Sequence, residues 1–320
     1  MIILVTGGAG FIGSHLCEKL VKMNKQVIAF DDLSTGSMDN ISTLINDPNF
    51  KFIKGSICDY SAIKEVISQS DIIYHLGASV GVKLVVDKPL EALENNVLGT
   101  ENVLKCALKG NKKVLITSSS EVYGKNNNVP FSEDNDRVFG SIFSNRWGYA
   151  LSKSMDEFLA INYYTEKNLE TVVVRLFNTV GPKHTGDYGM VIPRLVKQAL
   201  DNKELTVYGD GKQTRCFTHV SDVISGLIDL MGSKKSSGEV YNIGSNDEIT
   251  ILDLAKKIIL LTNSESEITY LDYDEVYGKN FEDMQRRLPD ITKISELTGF
   301  RPKKGIDKII SDVKEYILSR

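Results

Sequence analysis

Ile2-Ile3-Leu4-Val5-Thr6-Gly7-Gly8-Ala9-Gly10-Phe11-Ile12-Gly13 is the stretch whose reading decides the fold. Four apolar residues form a short strand pattern, a glycine box follows at once, and a helical pattern runs from Ser14 to Met23. Strand, glycine turn and helix make a phosphate-binding unit, because the unpaired N–H groups of a helix start favour an anion. Gly7 permits the tight turn, Gly10 lets backbone approach a pyrophosphate, and Gly13 lets the helix pack on the strand. Phe11 and Ile12, inside the box, count with them as cofactor contacts. The next strand pattern, Gln26–Phe30, ends in Asp31-Asp32. A carboxylate there can accept hydrogen bonds from a ribose and repels a 2′-phosphate, so the expected cofactor is NAD and not NADP.

Outward from this unit, strand patterns recur at Phe50–Lys54, Asp71–His75, Lys113–Thr117, Thr171–Arg175 and Glu239–Ile243. Helical patterns at Tyr60–Ser68, Leu90–Lys109 and Tyr149–Lys167 separate most of them. The alternation predicts an α/β chain with a Rossmann-type, doubly wound parallel sheet and a smaller C-terminal lobe. Residues 1–178, with 218–245 returning to them, are the expected cofactor domain, and 179–217 with 246–320 the substrate lobe. Ligand is expected between the two, at the carboxyl ends of the strands.

Bulk properties narrow the function classes. The 320 residues carry a formal net charge of −4, which gives no sign of nucleic-acid binding. Cys17, Cys58, Cys106 and Cys216 are scattered and do not cluster with the four histidines, so no metal site is expected and the thiols read as reduced. No apolar run approaches the roughly 20 residues of a membrane span, and Met1 leads straight into a strand pattern; the expected location is cytoplasmic, off the membrane.

Tyr149-Ala-Leu-Ser-Lys153 carries the chemistry. Residues four apart share a helix face, so Tyr149 and Lys153 point the same way. An ammonium beside a phenol is expected to lower the tyrosine pKa from about 10 and make Tyr149 a general base. A serine of the run Thr117-Ser118-Ser119-Ser120, at the end of a neighbouring strand, could share the proton. Tyr60/Lys64, Tyr163/Lys167 and Tyr208/Lys212 fit the same spacing and read as chance matches.

Taken together, these motifs resemble the extended short-chain dehydrogenase/reductase family, specifically its nucleotide-sugar epimerases, decarboxylases and dehydratases. The likeness continues through Asn95-Asn96-Val97-Leu98-Gly99-Thr100, Ser118 to Gly124, Arg175 to Pro182, Tyr208 to Arg215 and His219 to Asp222. It implies NAD held by the glycine box and Asp31, with Ile57 lining the adenine pocket and Asn96 supporting the nicotinamide side. Ser56 stands where the family often has an acidic residue. The resemblance further implies a catalytic set of Ser119, Tyr149 and Lys153, with Lys153 bridging Tyr149 and the nicotinamide ribose. Asn178 and Arg215 would contact the nucleotide diphosphate. The family commonly pairs through two helices, here Leu90–Lys109 and Tyr149–Lys167, so a homodimer is expected.

The reaction is where the resemblance divides. Glu121 occupies a position where decarboxylases and dehydratases, and some epimerases, carry a glutamate that acts after the first oxidation. Ser120 replaces the aspartate of dehydratases acting on deoxythymidine-linked glucose. Ala78-Ser79-Val80-Gly81-Val82 lacks the Ser-Pro-Pro turn usual in decarboxylases, and Asp187 would repel a uronate. Against these, Phe281 to Asp290 resembles the decarboxylase counterpart with its paired arginines, Arg286 and Arg287. On balance the expectation is C4 epimerisation of a neutral UDP-sugar through a 4-keto intermediate. UDP-glucuronate decarboxylation or 4-epimerisation is the alternative, and a non-catalytic NAD-binding regulator is the reading from another class.

Overall fold

The computed structural model describes residues 1–80, 88–144, 146–186, 190–277 and 284–320. Strands β1 (Ile2–Thr6), β2 (Gln26–Asp31), β3 (Phe50–Lys54), β4 (Ile72–His75), β5 (Lys113–Ser119) and β6 (Thr171–Leu176) are joined by Glu239–Ile243. They form one seven-stranded sheet in the order Glu239–Ile243, β6, β5, β4, β1, β2, β3, with every pairing parallel. This is the Rossmann-type α/β fold expected from the sequence. Strand order reverses between β1 and β4, and in such sheets the crevice beyond that reversal receives the ligand.

Side-chain alternation explains why these segments are buried on both faces. Ile3, Val5, Val27, Ala29, Leu115, Val172 and Val174 pack on one face with Leu16 and Leu20 of helix Phe11–Lys22 and Val223 and Leu227 of helix Val220–Gly232. Leu4, Ile28, Phe30, Ile73, Val114, Ile116 and Val173 pack on the other with helices Tyr60–Ser68, Pro89–Gly110 and Arg146–Lys167. Adjacent strand residues point to opposite faces, so a strand covered twice reads as a continuous apolar run. Local signals set the helix ends. Asp59 caps Tyr60–Ser68 by accepting from Ser61 N and Ala62 N, and Asn111 takes the left-handed conformation that closes Pro89–Gly110.

A separate apolar cluster joins helices Val191–Leu200, Ile251–Thr262 and Ile306–Leu318 through Ile192, Leu195, Val196, Leu254, Ile258, Ile309 and Val313. Strand Leu205–Tyr208 adds Val207, and Val180 and Phe217 come from the segments that lead away from the sheet. All four cysteines are free thiols. Among the described residues no helix is long and apolar enough to cross a membrane.

Candidate active site

A cleft of about 670 Å³ opens beyond the carboxyl ends of β1, β2, β4, β5 and β6. The glycine box forms its floor. Gly7 has φ +66°, and its N–H donates to Phe30 O at 2.9 Å. A Cβ on Gly13 would lie 2.0 Å from the Gly7 carbonyl oxygen, so only glycine lets the helix start sit this close to the turn. Gly7, Gly10, Phe11, Ile12 and Gly13 all line the cleft. Asp31 is nearly buried, its carboxylate accepting from Ala9 N at 3.0 Å and Leu33 N at 2.8 Å. Burial pushes its carboxyl up, and those two N–H groups work in the opposite direction. The neighbouring Asp32 is exposed at the rim and accepts from Ser34 N at 2.9 Å. A strand-end carboxylate beside a glycine cradle fits the adenosine half of a dinucleotide.

Ser56 and Ile57 line the far end of the cleft. Ile57 packs so tightly against Gly99 that a Cβ there would lie 2.3 Å from its Cδ1. Asn96 sits behind the wall, not on it. Its side chain accepts from Ser79 N at 2.7 Å and donates to Ser152 Oγ at 3.1 Å, tying the segment after β4 to the helix bearing Tyr149. Its neighbour Asn95 lines the cleft instead.

Ser119 ends β5, and Tyr149 and Lys153 face it from helix Arg146–Lys167, all three lining the cleft. Ser119 hydrogen-bonds the Tyr149 phenol, one of the influences that favour the phenolate. The expected lowering of the Tyr149 pKa does not hold. Burial raises it, outweighing the Lys153 charge and the Ser119 bond, while Glu121 and Asp156 add negative charge nearby. Lys153 is nearly buried and its ammonium lies 3.0 Å from Asp156 Oδ2. Burial alone would lower the Lys153 pKa, but Asp156 and Tyr149 together leave it raised. Ser118 turns away from Ser119 and donates to Glu157 Oε1 at 2.6 Å. Glu157 also holds Arg175 at 2.8 Å and Arg137 at 2.5 Å.

On the opposite wall, Arg287 Nη2 lies 2.6 Å from Glu121 Oε1, both residues lining the cleft. Arg287 is 7% exposed. Asn178, with φ +29°, donates to Cys216 O at 2.9 Å and receives a long bond from Arg287 at 3.4 Å. Arg215 is nearly buried and reaches the cleft, donating to Thr214 O at 2.8 Å. The two adjacent arginines part company. Arg286 points outward in an exposed pair with Glu248 at 2.8 Å and does not line the cleft.

Arg194 and Tyr273 join the site from outside the quoted motifs, meeting Tyr208 and Gln213 of the Tyr208 to Arg215 stretch. Gln213 donates to Tyr208 O at 3.0 Å and to the Tyr273 hydroxyl at 2.9 Å, and Arg194 stacks over the Tyr208 ring at 4.3 Å. These residues line the lobe side of the cleft. Asp156 could have been noted from its i, i+3 spacing to Lys153, since such residues are neighbours on a helix. Gly81, Val82 and Asp187, used above to weigh the substrate, lie outside the described residues, as do Phe281, Glu282 and Asp283. Among the described residues no group of three or more His, Cys, Asp or Glu could hold a metal.

The sequence pattern of the GDP-mannose 4,6 dehydratase family matches residues 4–313. The chain belongs to that family, within the extended short-chain dehydrogenases/reductases. A UDP-N-acetyl-alpha-D-glucosaminuronate decarboxylase of Bacillus cytotoxicus is 45% identical over 98% of the chain and 96% of its own length. UDP-glucuronic acid decarboxylase 4 of Arabidopsis thaliana is 35% identical over 98% of the chain and 69% of its own length. Among solved structures, a UDP-glucuronic acid 4-epimerase from Bacillus cereus with UDP-glucuronic acid and NAD superposes with TM-score 0.90. It is 30% identical and covers 100% of this chain and 99% of its own.

These relatives overturn the expectation of a neutral-sugar C4 epimerase, because the two curated ones are decarboxylases of sugar uronates. The missing Ser-Pro-Pro turn is a loop feature, and loops vary while the site they border is kept. The pairing of Glu121 with Arg287 exists only in three dimensions.

Proposed function

We propose that this chain decarboxylates a UDP-linked sugar uronate, UDP-glucuronate or its N-acetylated counterpart, with NAD as cofactor. The observation that carries the reading is the Arg287–Glu121 pair, a buried guanidinium on a half-buried carboxylate, facing the same cleft as Ser119, Tyr149 and Lys153. A guanidinium is a planar fork suited to a carboxylate, and a uronate carries that group where a neutral hexose does not. The glycine cradle and Asp31 would hold NAD, which would supply reversible hydride transfer at C4 of the sugar with no net consumption of the cofactor.

The chain's own residues do the rest. Tyr149, bonded to Ser119, takes the proton from the 4-hydroxyl as C4 is oxidised. The ketone formed at C4 stands β to the C6 carboxylate. The C5–C6 bond then breaks, carbon dioxide leaves, and its electron pair becomes the C4–C5 enolate. The Tyr149 proton at O4 stabilises that charge. A proton delivered to C5, with reduction at C4, completes a pentose. Glu121, beside Arg287, is the acid–base group for the C5 proton. Arg215 and Asn178 hold the diphosphate, and residues 179–217 with 246–320 serve as the sugar-nucleotide lobe.

The test incubates the protein with UDP-glucuronate, UDP-N-acetylglucosaminuronate and UDP-glucose in turn, following products by chromatography and mass. The expected result is loss of one carbon dioxide from a uronate and no turnover of UDP-glucose. Equal-mass conversion of a uronate would make the chain a uronate 4-epimerase, and conversion of UDP-glucose alone would sink the carboxylate role of Arg287.

The assembly we propose is a homodimer. Helices Pro89–Gly110 and Arg146–Lys167 pack on each other and still expose Leu90, Leu98, Leu151, Met155 and Phe158. Burying such a shared face in a second copy removes apolar surface from water. Light scattering should give twice the 35.6 kDa chain mass at micromolar concentration, and a monomer mass would reject the pairing.

A further inference from the structure

Asp156 is an ionisable group at the back of the site that the mechanism leaves unused. It has 0% exposure and stands one turn beyond Lys153, so Tyr149, Lys153 and Asp156 run along one stripe of helix Arg146–Lys167. Its Oδ2 receives the Lys153 ammonium at 3.0 Å. Its Oδ1 makes no hydrogen bond of good geometry, although Thr100 of helix Pro89–Gly110 faces the carboxylate. A carboxylate buried with so few partners is costly unless its charge is used.

We propose that Asp156 is a positioning residue: it fixes the Lys153 ammonium and counterbalances its charge beside Tyr149. The proposal rests on the roles given above to Tyr149 and Lys153. An ammonium has three donors, and committing one to Asp156 leaves two for the phenol and a ribose hydroxyl. The charge balance suits a tyrosine that must hold its proton through the enolate stage. Every group facing the pair enters the balance. Lys153 favours the phenolate, Ser119 favours it by hydrogen bonding, and Glu121 and Asp156 oppose it. Glu121 is itself paired with Arg287 at 2.6 Å. Lys153 faces Asp156, Tyr149 and Glu157. His75 of β4, between Thr6 Oγ1 at 2.7 Å and Thr100 Oγ1 at 3.1 Å, is held to a pKa of about 3 by burial, then by the Lys153 charge, so it adds no charge near neutral pH.

The experiment separates charge from anchoring. Asp156→Asn keeps an acceptor oxygen and loses the charge; Asp156→Ala loses both. Tyrosinate absorbance of each folded protein, minus that of its Tyr149→Phe derivative, titrates Tyr149 without requiring turnover. In Asp156→Asn the Tyr149 midpoint should fall by at least about 0.5 pH unit, since a removed negative charge no longer opposes ionisation. The acid limb of kcat/KM should move to lower pH with it. NAD binding, read by fluorescence, should weaken at least about five-fold in Asp156→Ala and stay within about two-fold in Asp156→Asn, the difference of one charge-assisted anchor. An unmoved Tyr149 midpoint in folded Asp156→Asn overturns the proposal. A shifted midpoint in a protein that does not decarboxylate any uronate leaves Asp156 as argued and rejects the reaction assignment alone.

Discussion

Tyr149→Phe is expected to lower uronate turnover by at least about 10²-fold, the usual scale for losing a general acid–base group. The substitution keeps the ring and removes only the phenolic oxygen, so Lys153 stays paired with Asp156 and the glycine cradle is untouched. NAD binding should therefore persist. Burial raises the Tyr149 pKa against the pull of Lys153 and Ser119. A bound cationic nicotinamide ring would favour ionisation, by the same charge rule that acts through Lys153. Activity should accordingly rise with pH along an acid limb set by Tyr149 in the complex, and that limb should be absent from the residual activity of Tyr149→Phe. Steady-state rates across pH, with NAD binding measured in parallel, check both statements. A variant with near-normal turnover removes Tyr149 from the mechanism.

The fold was legible because its signals are local. Strand patterns at Phe50–Lys54, Lys113–Thr117 and Glu239–Ile243 coincide with, or fall within, observed sheet strands, and the Tyr60–Ser68 helix has the expected bounds. Continuous apolar runs mean strands buried on both faces. The Tyr149–Lys153 face was legible for the same reason, being four residues apart on one helix. Three things were not. The state of Tyr149 depends on burial and on Asp156 and Glu121, which spacing to Lys153 alone does not include. Asn96 and Asn95 are adjacent in the motif, and only the helix rotation decides which one faces the cleft. Arg286 and Arg287 are equivalent as text, yet one meets Glu248 at the surface and the other meets Glu121 in the site.

That last distinction carries the second large effect. Arg287→Leu should lower kcat/KM for the uronate by about 10²- to 10³-fold. Truncating one partner of a hydrogen-bonded charge pair between a protein and what it binds costs about 2–5 kcal/mol, and about 1.4 kcal/mol is a factor of ten in rate. Arg287 also pairs with Glu121 at 2.6 Å, so the Glu121 carboxylate loses that contact as well. Arg287→Lys keeps the charge but not the planar fork, so it should fall between parent and Leu. Arg286→Leu is the control: its exposed pair with Glu248 is solvent-screened, and its loss should leave kcat/KM within about two-fold, as surface pairs contribute little. The substrate series identifies what Arg287 recognises. If it holds the sugar carboxylate, Arg287→Leu should weaken binding of UDP-glucuronate and leave binding of UDP-glucose and UDP unchanged. Equal weakening of all three would assign Arg287 to the diphosphate that every ligand shares. The carboxylate would then need another partner, and decarboxylation would lose its main structural support in this chain.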